Sequence, residues 1–240
     1  MRLDKYLANM GVGSRKDVKK IISSGRVSVN GAIVKKAECD VKVEDTVAVD
    51  GGKIDYKEFV YLMMNKPAGV ISATEDAHGE VCAADLVGSD YNFYQLSCAG
   101  RLDKDSEGFL LLTNDGDFIH NIISPKKKVD KIYYIEVDGE LTEKDTELLA
   151  EGITLGDGYV TLLAKLTVTE AANGKSKALV TIHEGKFHQV KRMIKSCGKT
   201  VTYLKRLSIG GVTLDESLEK GAYRELTREE LEELYEKTGD

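Results

Sequence analysis

Residues 100–116, GRLDKDSEGFLLLTNDG, place Asp103, Asp105 and Glu107 within five positions, flanked by Arg101 and Lys104. Three readings fit such a cluster. Asp103, Asp105, Glu107 and Gly108 have the D-x-D-x-E-G spacing of a calcium loop. Asp103 could instead be a turn residue ahead of a strand, held by its basic neighbours. It could also be a lone carboxylate acting as a nucleophile. A calcium loop of this type needs a bidentate Glu at its twelfth position, which here is Asn114, and it should exit into a helix. FLLLTNDG reads as a buried strand followed by a tight turn, so calcium fails on two counts. Turn and nucleophile both stand on this window alone.

Other metal chemistry finds no support in the spacing. His183-Glu184 and His188 miss the HExxH pattern of a zinc peptidase, because the histidines are five apart and Gly185 interrupts the helix that would align them. Both are read as hydrogen-bonded structural residues. Cys39, Cys82, Cys98 and Cys197 contain no C-x-x-C pair, which favours reduced thiols over a disulfide frame or a zinc site. The sequence has no G-x-G-x-x-G and no phosphate-binding P-loop.

The elements that must position Asp103 come from a chain of 240 residues with 42% hydrophobic content, enough for one core plus a small satellite domain. The longest apolar runs are strand-sized, so no membrane span is expected. MRLDKYLANM carries charges inside a helical pattern and is not expected to be a signal peptide. The spacing of Leu3, Leu7 and Met10 predicts a helix. Ser14 with Asp17 three residues on predicts the capped start of a second, with Val18, Ile21 and Ile22 facing inward and Arg15, Lys16, Lys19 and Lys20 on the other side. RVSVNGAIV reads as a hairpin about Asn30-Gly31, and VKVEDTVAV as one more strand. These elements define an expected domain over residues 1–50, followed by a linker at 51–58 (GGKIDYKE) and a larger domain over 59–240. In the larger domain strands are expected at 59–67, around 110–113, and at 131–139, 159–171 and 177–185. Helices are expected at 117–123, 142–152 and 187–198 and near the C-terminus. Strands outnumber helices without regular alternation, which predicts an α+β domain with a mixed, mostly antiparallel sheet.

The formal net charge of −6 argues against a polyanionic partner, yet its distribution does not. Nine bases and two acids lie between Met1 and Lys36, and seven bases and no acid between Lys186 and Arg206. A polyanion responds to the field within a Debye length, about 8–10 Å, not to the total. Two small helices and a hairpin with a basic face suit an RNA backbone. Arg2, Arg15, Lys16, Lys19, Lys20, Arg26, Arg192 and Arg206 are the candidate RNA contacts.

GRLDKDSEGFLLLTNDG closely resembles a motif of the pseudouridine synthases, in the branch that includes ribosomal small-subunit pseudouridine synthase A. NKPAGVISA (65–73), DKIYYIEVDG (130–139), EGKFHQVKRM (184–193) and LKRLSIGGVTL (204–214) resemble the family's other motifs in the same order, and the first fifty residues resemble an S4 RNA-binding domain. The resemblance covers nearly the whole chain. It implies isomerisation of a uridine to pseudouridine in ribosomal RNA, most simply the 16S RNA, with the large-subunit RNA or a non-catalytic assembly role as alternatives. It further implies that Asp103 is the nucleophile and Lys191 the cation beside it, that Tyr133 packs on the target base with Tyr134 in the core, and that Arg101 enters the RNA stack or holds a phosphate. An ion pair of Arg101 with Asp105 or Glu107 is the competing reading. No cofactor and no metal are implied. The chain is expected to act as a cytoplasmic monomer on an assembly intermediate of the small subunit, away from membranes.

Overall fold

A computed structural model describes residues 1–42 and 44–239. The chain divides into two compact units, one of Met1–Val60 with Gly88–Gln95 and one of Tyr61–Val87 with Leu96–Asp240.

In the first unit α1 (Leu3–Asn9) and α2 (Arg15–Ser23) precede β1 (Val27–Val29), β2 (Ala32–Ile33), β3 (Val47–Val49) and β4 (Gly52–Ile54). Ser14 caps α2 as expected, its Oγ accepting from the Asp17 amide at 3.2 Å. The strands form an antiparallel sheet in the order β2-β1-β3-β4. Leu3, Tyr6, Leu7, Val18, Ile22, Val27, Val41 and Val47 fill the core between helices and sheet. Two expectations need correction. The strand expected across VKVEDTVAV is confined to β3, and Val43 lies outside the described residues. Gly52–Ile54, expected within a linker, pairs with β3 as an edge strand, because Asp50-Gly51 turns the chain back with both residues at positive φ.

The second unit holds a mixed sheet of nine strands. β5 (Tyr61–Lys66), β6 (Ser97–Cys98), β7 (Glu107–Thr113), α3 (Gly116–Ile123), β8 (Lys131–Asp138) and α4 (Glu143–Glu151) come first. β9 (Lys165–Ala172), β10 (Lys175–Ile182), α5 (Gln189–Ser196), β11 (Thr200–Ile209), β12 (Val212–Thr213), β13 (Tyr223–Glu225) and α6 (Arg228–Thr238) follow. The strand order is β13-β5-β7-β11-β8-β10-β9, with β12 beside β11 and β6 beside β7. Among the described residues β7 and β11 run parallel and the other strand pairs antiparallel. Every residue of β7 is buried, which explains the unbroken apolar run from Phe109 to Leu112 within it. Phe109 and Leu111 on one of its faces pack with Phe118, Ile122, Val129, Ile209 and Leu234 beneath α3 and α6.

The longest strand among the described residues, β11, runs through the LKRLSI segment, where the sequence predicts no strand. The strand expected from 159 begins only at Lys165. Upstream of it the backbone bonds elsewhere: the Leu162 amide donates to the Glu184 carboxylate at 2.8 Å and the Ala164 amide to the Leu149 carbonyl at 2.9 Å.

The parallel step between β7 and β11 requires a glycine. Gly108 has φ +102°, and a Cβ there would stand 2.2 Å from the Arg206 carbonyl oxygen and 2.8 Å from its amide nitrogen. Gly108→Ala should therefore lower unfolding stability by roughly 3 kcal/mol or more, against about 1 kcal/mol for Gly31→Ala, where φ is also positive but nothing lies within 4 Å. Urea denaturation of both variants measures the difference, and equal midpoints would contradict the close strand approach.

Candidate active site

Asp103 sits in the loop between β6 and β7, and that loop is held by its neighbours' backbone. The Ser72 hydroxyl accepts from the Leu102 amide at 3.0 Å and donates to the Leu102 carbonyl at 2.8 Å. Gly69 donates its amide to the Lys104 carbonyl at 2.7 Å, and the Ser106 amide closes a turn on the Asp103 carbonyl at 3.1 Å. Beneath lies Lys66, fully buried, whose ammonium donates to the carbonyls of Pro67, Lys104 and Ser106. Asp103 is thus a turn residue as well as a candidate nucleophile. The turn explains its backbone, and its carboxylate remains free of capping duty.

That carboxylate, about one quarter exposed, faces α5. Lys191 Nζ lies 3.1 Å from Asp103 Oδ2 and 2.5 Å from Asp105 Oδ1. Burial works against the Lys191 ammonium, but the two carboxylates outweigh it and hold its pKa above the usual lysine range. The hydrogen bond from Lys191 holds Asp105 below the usual carboxylate range. On the other side of Asp103, His188 Nε2 stands 3.6 Å from Oδ1. His188 is the residue before α5 and adopts the left-handed conformation, φ 50°. The helix expected from Phe187 therefore starts at Gln189, whose side chain accepts from the Lys186 amide and brackets the turn. His183 Nδ1 lies 2.8 Å from Asp130 Oδ1 but makes no hydrogen bond, so the bond expected of it is not formed. His188, expected to be structural, belongs to the site.

A cavity of about 620 Å³ opens beside Asp103, with Tyr133, Lys131 and Arg206 on its inner wall and Arg101, Phe187 and His188 towards its mouth. Alternate residues of β8 point to opposite faces, so Tyr133 is buried against the cavity while Tyr134 is not. Tyr134 is half-buried, not core as expected: its hydroxyl donates to Glu136 at 3.0 Å and its ring meets Tyr203 edge-on.

Arg206 is the main correction among the expected RNA contacts. It is 1% exposed, and its guanidinium donates to the Phe109 carbonyl at 2.7 Å, the Gly100 carbonyl at 2.9 Å and the Tyr133 hydroxyl at 3.4 Å. A guanidinium with these bonds ties the start of the Asp103 loop to Tyr133 and is not available as an outer phosphate ligand. Arg192 is half-buried and paired with Asp157 at 2.6 Å. Arg2 is paired with buried Asp4, and Arg26 with Asp50. Arg15, Lys16, Lys19 and Lys20 lie exposed on α2. Arg101 is exposed at the cavity mouth, and its proposed ion-pair partners are engaged elsewhere: Asp105 with Lys191, and Glu107 with Lys220 and Tyr203.

Lys66, Ser72 and Lys131 carry no role in the sequence reading and His188 only a structural one, although all four lie inside the quoted motifs. Lys131 is 3% exposed and donates to the carbonyls of Ile122 and Val129, both at 3.0 Å. Burial, helped for Lys131 by the charge of Arg206, pushes Lys66 and Lys131 down to about 8. The two buried cations that line the cavity, Lys131 and Arg206, rest on backbone carbonyls and a phenol rather than on carboxylates. Carbonyl dipoles satisfy their N–H groups but do not cancel their charge, so the inner wall is positive.

Residues 60–196 match the model of the RNA pseudouridylate synthase family, and residues 1–47 match the S4 domain. The chain belongs to the RNA pseudouridylate synthase family. It is 48% identical to an uncharacterised RNA pseudouridine synthase of Bacillus subtilis, over 98% of this chain and 99% of that one. It is 40% identical to the ribosomal small subunit pseudouridine synthase A of Vibrio vulnificus, over 98% and 100%. It is 37% identical to the ribosomal large subunit pseudouridine synthase B of Bacillus subtilis, over 97% and 95%. The crystal structure of a pseudouridylate synthase superposes with a TM-score of 0.68 at 36% identity, covering 98% of this chain and 99% of that chain. The chain is an RNA pseudouridine synthase carrying an S4 domain, and no helix among its described residues is long and apolar enough to cross a membrane.

The depressed lysines of this synthase set a pH dependence. A lysine with a folded pKa near 8 and an ordinary unfolded pKa near 10.5 disfavours folding while both states are protonated. As pH rises from about 8 towards 10.5 the folded chain has lost that proton and the unfolded chain still binds it, so this contribution to unfolding free energy rises with pH. Wild type should show this rise relative to Lys131→Met between pH 7.5 and 10 in denaturant titrations. Parallel curves would mean that the Lys131 ammonium is not desolvated.

Proposed function

We propose that this chain converts one uridine of 16S ribosomal RNA to pseudouridine in the cytoplasm, with Asp103 as nucleophile. The observation that carries the reading is the Asp103 carboxylate beside a cavity wall bearing Tyr133, with the Lys191 ammonium 3.1 Å away. Isomerisation breaks the bond from N1 to C1′ and makes one from C5 to C1′. The C5 proton leaves and N1 is protonated, so the reaction consumes neither water nor an electron acceptor. What the protein must supply is a placed nucleophile, a surface for the detached base and a charge environment that tolerates both. Lys191 stabilises negative charge on Asp103. Tyr133 offers its ring to the base, and Arg206 fixes the phenol's position. Arg101, free at the mouth, would hold a phosphate or fill the stack left by the extruded nucleotide, whose extrusion costs a few kcal/mol.

The exposed cations of α2 in the S4 domain would hold the RNA backbone, reading shape and phosphates more than bases. The small-subunit target is favoured by the 40% identity over full length to the Vibrio vulnificus protein. The 37% relative makes the large-subunit RNA the second reading.

Asp103→Asn keeps size and polarity but removes the nucleophile. It should lower pseudouridine formation by on the order of 10³-fold or more while leaving RNA affinity nearly unchanged. Chemical mapping of both ribosomal RNAs from cells carrying only this variant reads the result and names the target. Pseudouridine at wild-type levels at every site would defeat the assignment, and a loss confined to 23S RNA would move the target to the large subunit. Lys191→Ala should cost on the order of 10²-fold in turnover and much less in RNA binding. Equal losses in single-turnover rate and binding would make Lys191 a phosphate contact instead.

A further inference from the structure

Phe187 is the most exposed large apolar side chain of the second unit, at 71%, and it stands at the mouth of the Asp103 cavity. Its ring lies on the His188 imidazole, centroids 3.7 Å apart and planes 18° from parallel. One face is therefore covered by a ring whose Nε2 is 3.6 Å from Asp103, and the other is left to solvent.

The turn that carries Phe187 is braced. Buried Glu184 accepts from Gln189 Nε2, the Tyr159 hydroxyl and the Leu162 amide at 2.6–2.8 Å. Gln189 in turn accepts from the Lys186 amide, Arg192 donates to the Phe187 carbonyl at 3.3 Å, and the Lys186 ammonium sits 4.7 Å over the Tyr159 ring. An apolar ring held outward on a fixed turn has nothing to collapse onto in the free protein. Exposed Lys186 and Arg101 line the same mouth. A flat apolar face with two exposed cations lining the same cavity matches an unpaired nucleobase with its flanking phosphates.

We infer that Phe187 is a stacking platform for the nucleobase next to the target uridine, with Lys186 and Arg101 taking the flanking phosphates. The assignment rests on the proposed RNA isomerisation and adds a contact outside the reacting nucleoside. Stacking is indifferent to base identity, so the platform selects for an unpaired neighbour rather than for a sequence. The stack from Phe187 through His188 to Asp103 lets the platform's occupant set the depth at which the extruded uridine meets the carboxylate.

The chain contains no tryptophan, so Phe187→Trp installs a single reporter at the platform. The probes are octauridylate and an abasic ribose-phosphate octamer, each bearing a fluorescein label for anisotropy. At saturation octauridylate should quench the tryptophan by half or more and the abasic octamer should not. Phe187→Ala and Phe187→Leu should weaken octauridylate binding about tenfold, with Phe187→Trp within about twofold of wild type. Equal emission with both oligomers, unchanged affinity in Phe187→Ala, or no preference of the wild type for octauridylate over the abasic octamer would overturn the platform. Pseudouridine formation in a 16S transcript is scored separately. Base-dependent quenching with no pseudouridine made by the wild type supports the platform and overturns the proposed activity. Pseudouridine without base-dependent quenching overturns the platform alone.

Discussion

The site depends on one buried guanidinium. Arg206 enters the core on β11, where the glycine at position 108 lets its backbone approach β7 closely, and spends its donors on Phe109, Gly100 and Tyr133. Those three acceptors belong to the strand after the Asp103 loop, the residue that opens it and the strand opposite. A charge placed where water cannot reach is costly unless its hydrogen bonds are met, so the acceptors are held as firmly as the donor. This set of bonds ties the start of the Asp103 loop to Tyr133, and Ser72, Gly69 and Lys66 hold the rest of the loop. A lysine in the same place would lack the planar fork that spans three directions at once.

Lys66 and Lys131 extend the pattern. One underpins the Asp103 loop from below, and the other closes the cavity wall at the end of α3. Both are hydrogen-bonded only to carbonyls, and burial pushes both down to about 8, for Lys66 against the pull of Asp105, Glu107 and Asp103. The chain as a whole is acidic, yet the inner wall of the cavity carries Lys131 and Arg206, whose hydrogen bonds go to carbonyls and a phenol and not to a carboxylate. Low dielectric lengthens the reach of such charges. An anionic substrate therefore meets a field at the site opposite in sign to the one the net charge suggests.

Asp103 and Asp105 divide the burden of Lys191. Asp105, largely exposed, takes the shorter contact and is itself held charged by it. Asp103, in the cleft, takes the longer contact and also faces His188. The ammonium is thus anchored from the solvent side and presented to the carboxylate that lines the cavity.

Much of this was legible in the order of residues. The helix start at Ser14, the hairpin at Asn30-Gly31, the apolar run Phe109–Leu112 of β7 and the juxtaposition of Asp103 with Lys191 and Tyr133 follow from local rules or from motif resemblance, because each is written in adjacent residues or in a short recognisable string. The sequence could not say that Arg206 is buried, that His188 leaves the helix to stand beside Asp103, or that Tyr134 faces away from the core. It could not say that Gly52–Ile54 is a strand and not a linker. Those facts depend on which backbone groups, distant along the chain, need a partner once the sheet has closed. A basic residue reads the same on paper whether water or a carbonyl 97 positions away will satisfy it, and only the tertiary structure decides between them.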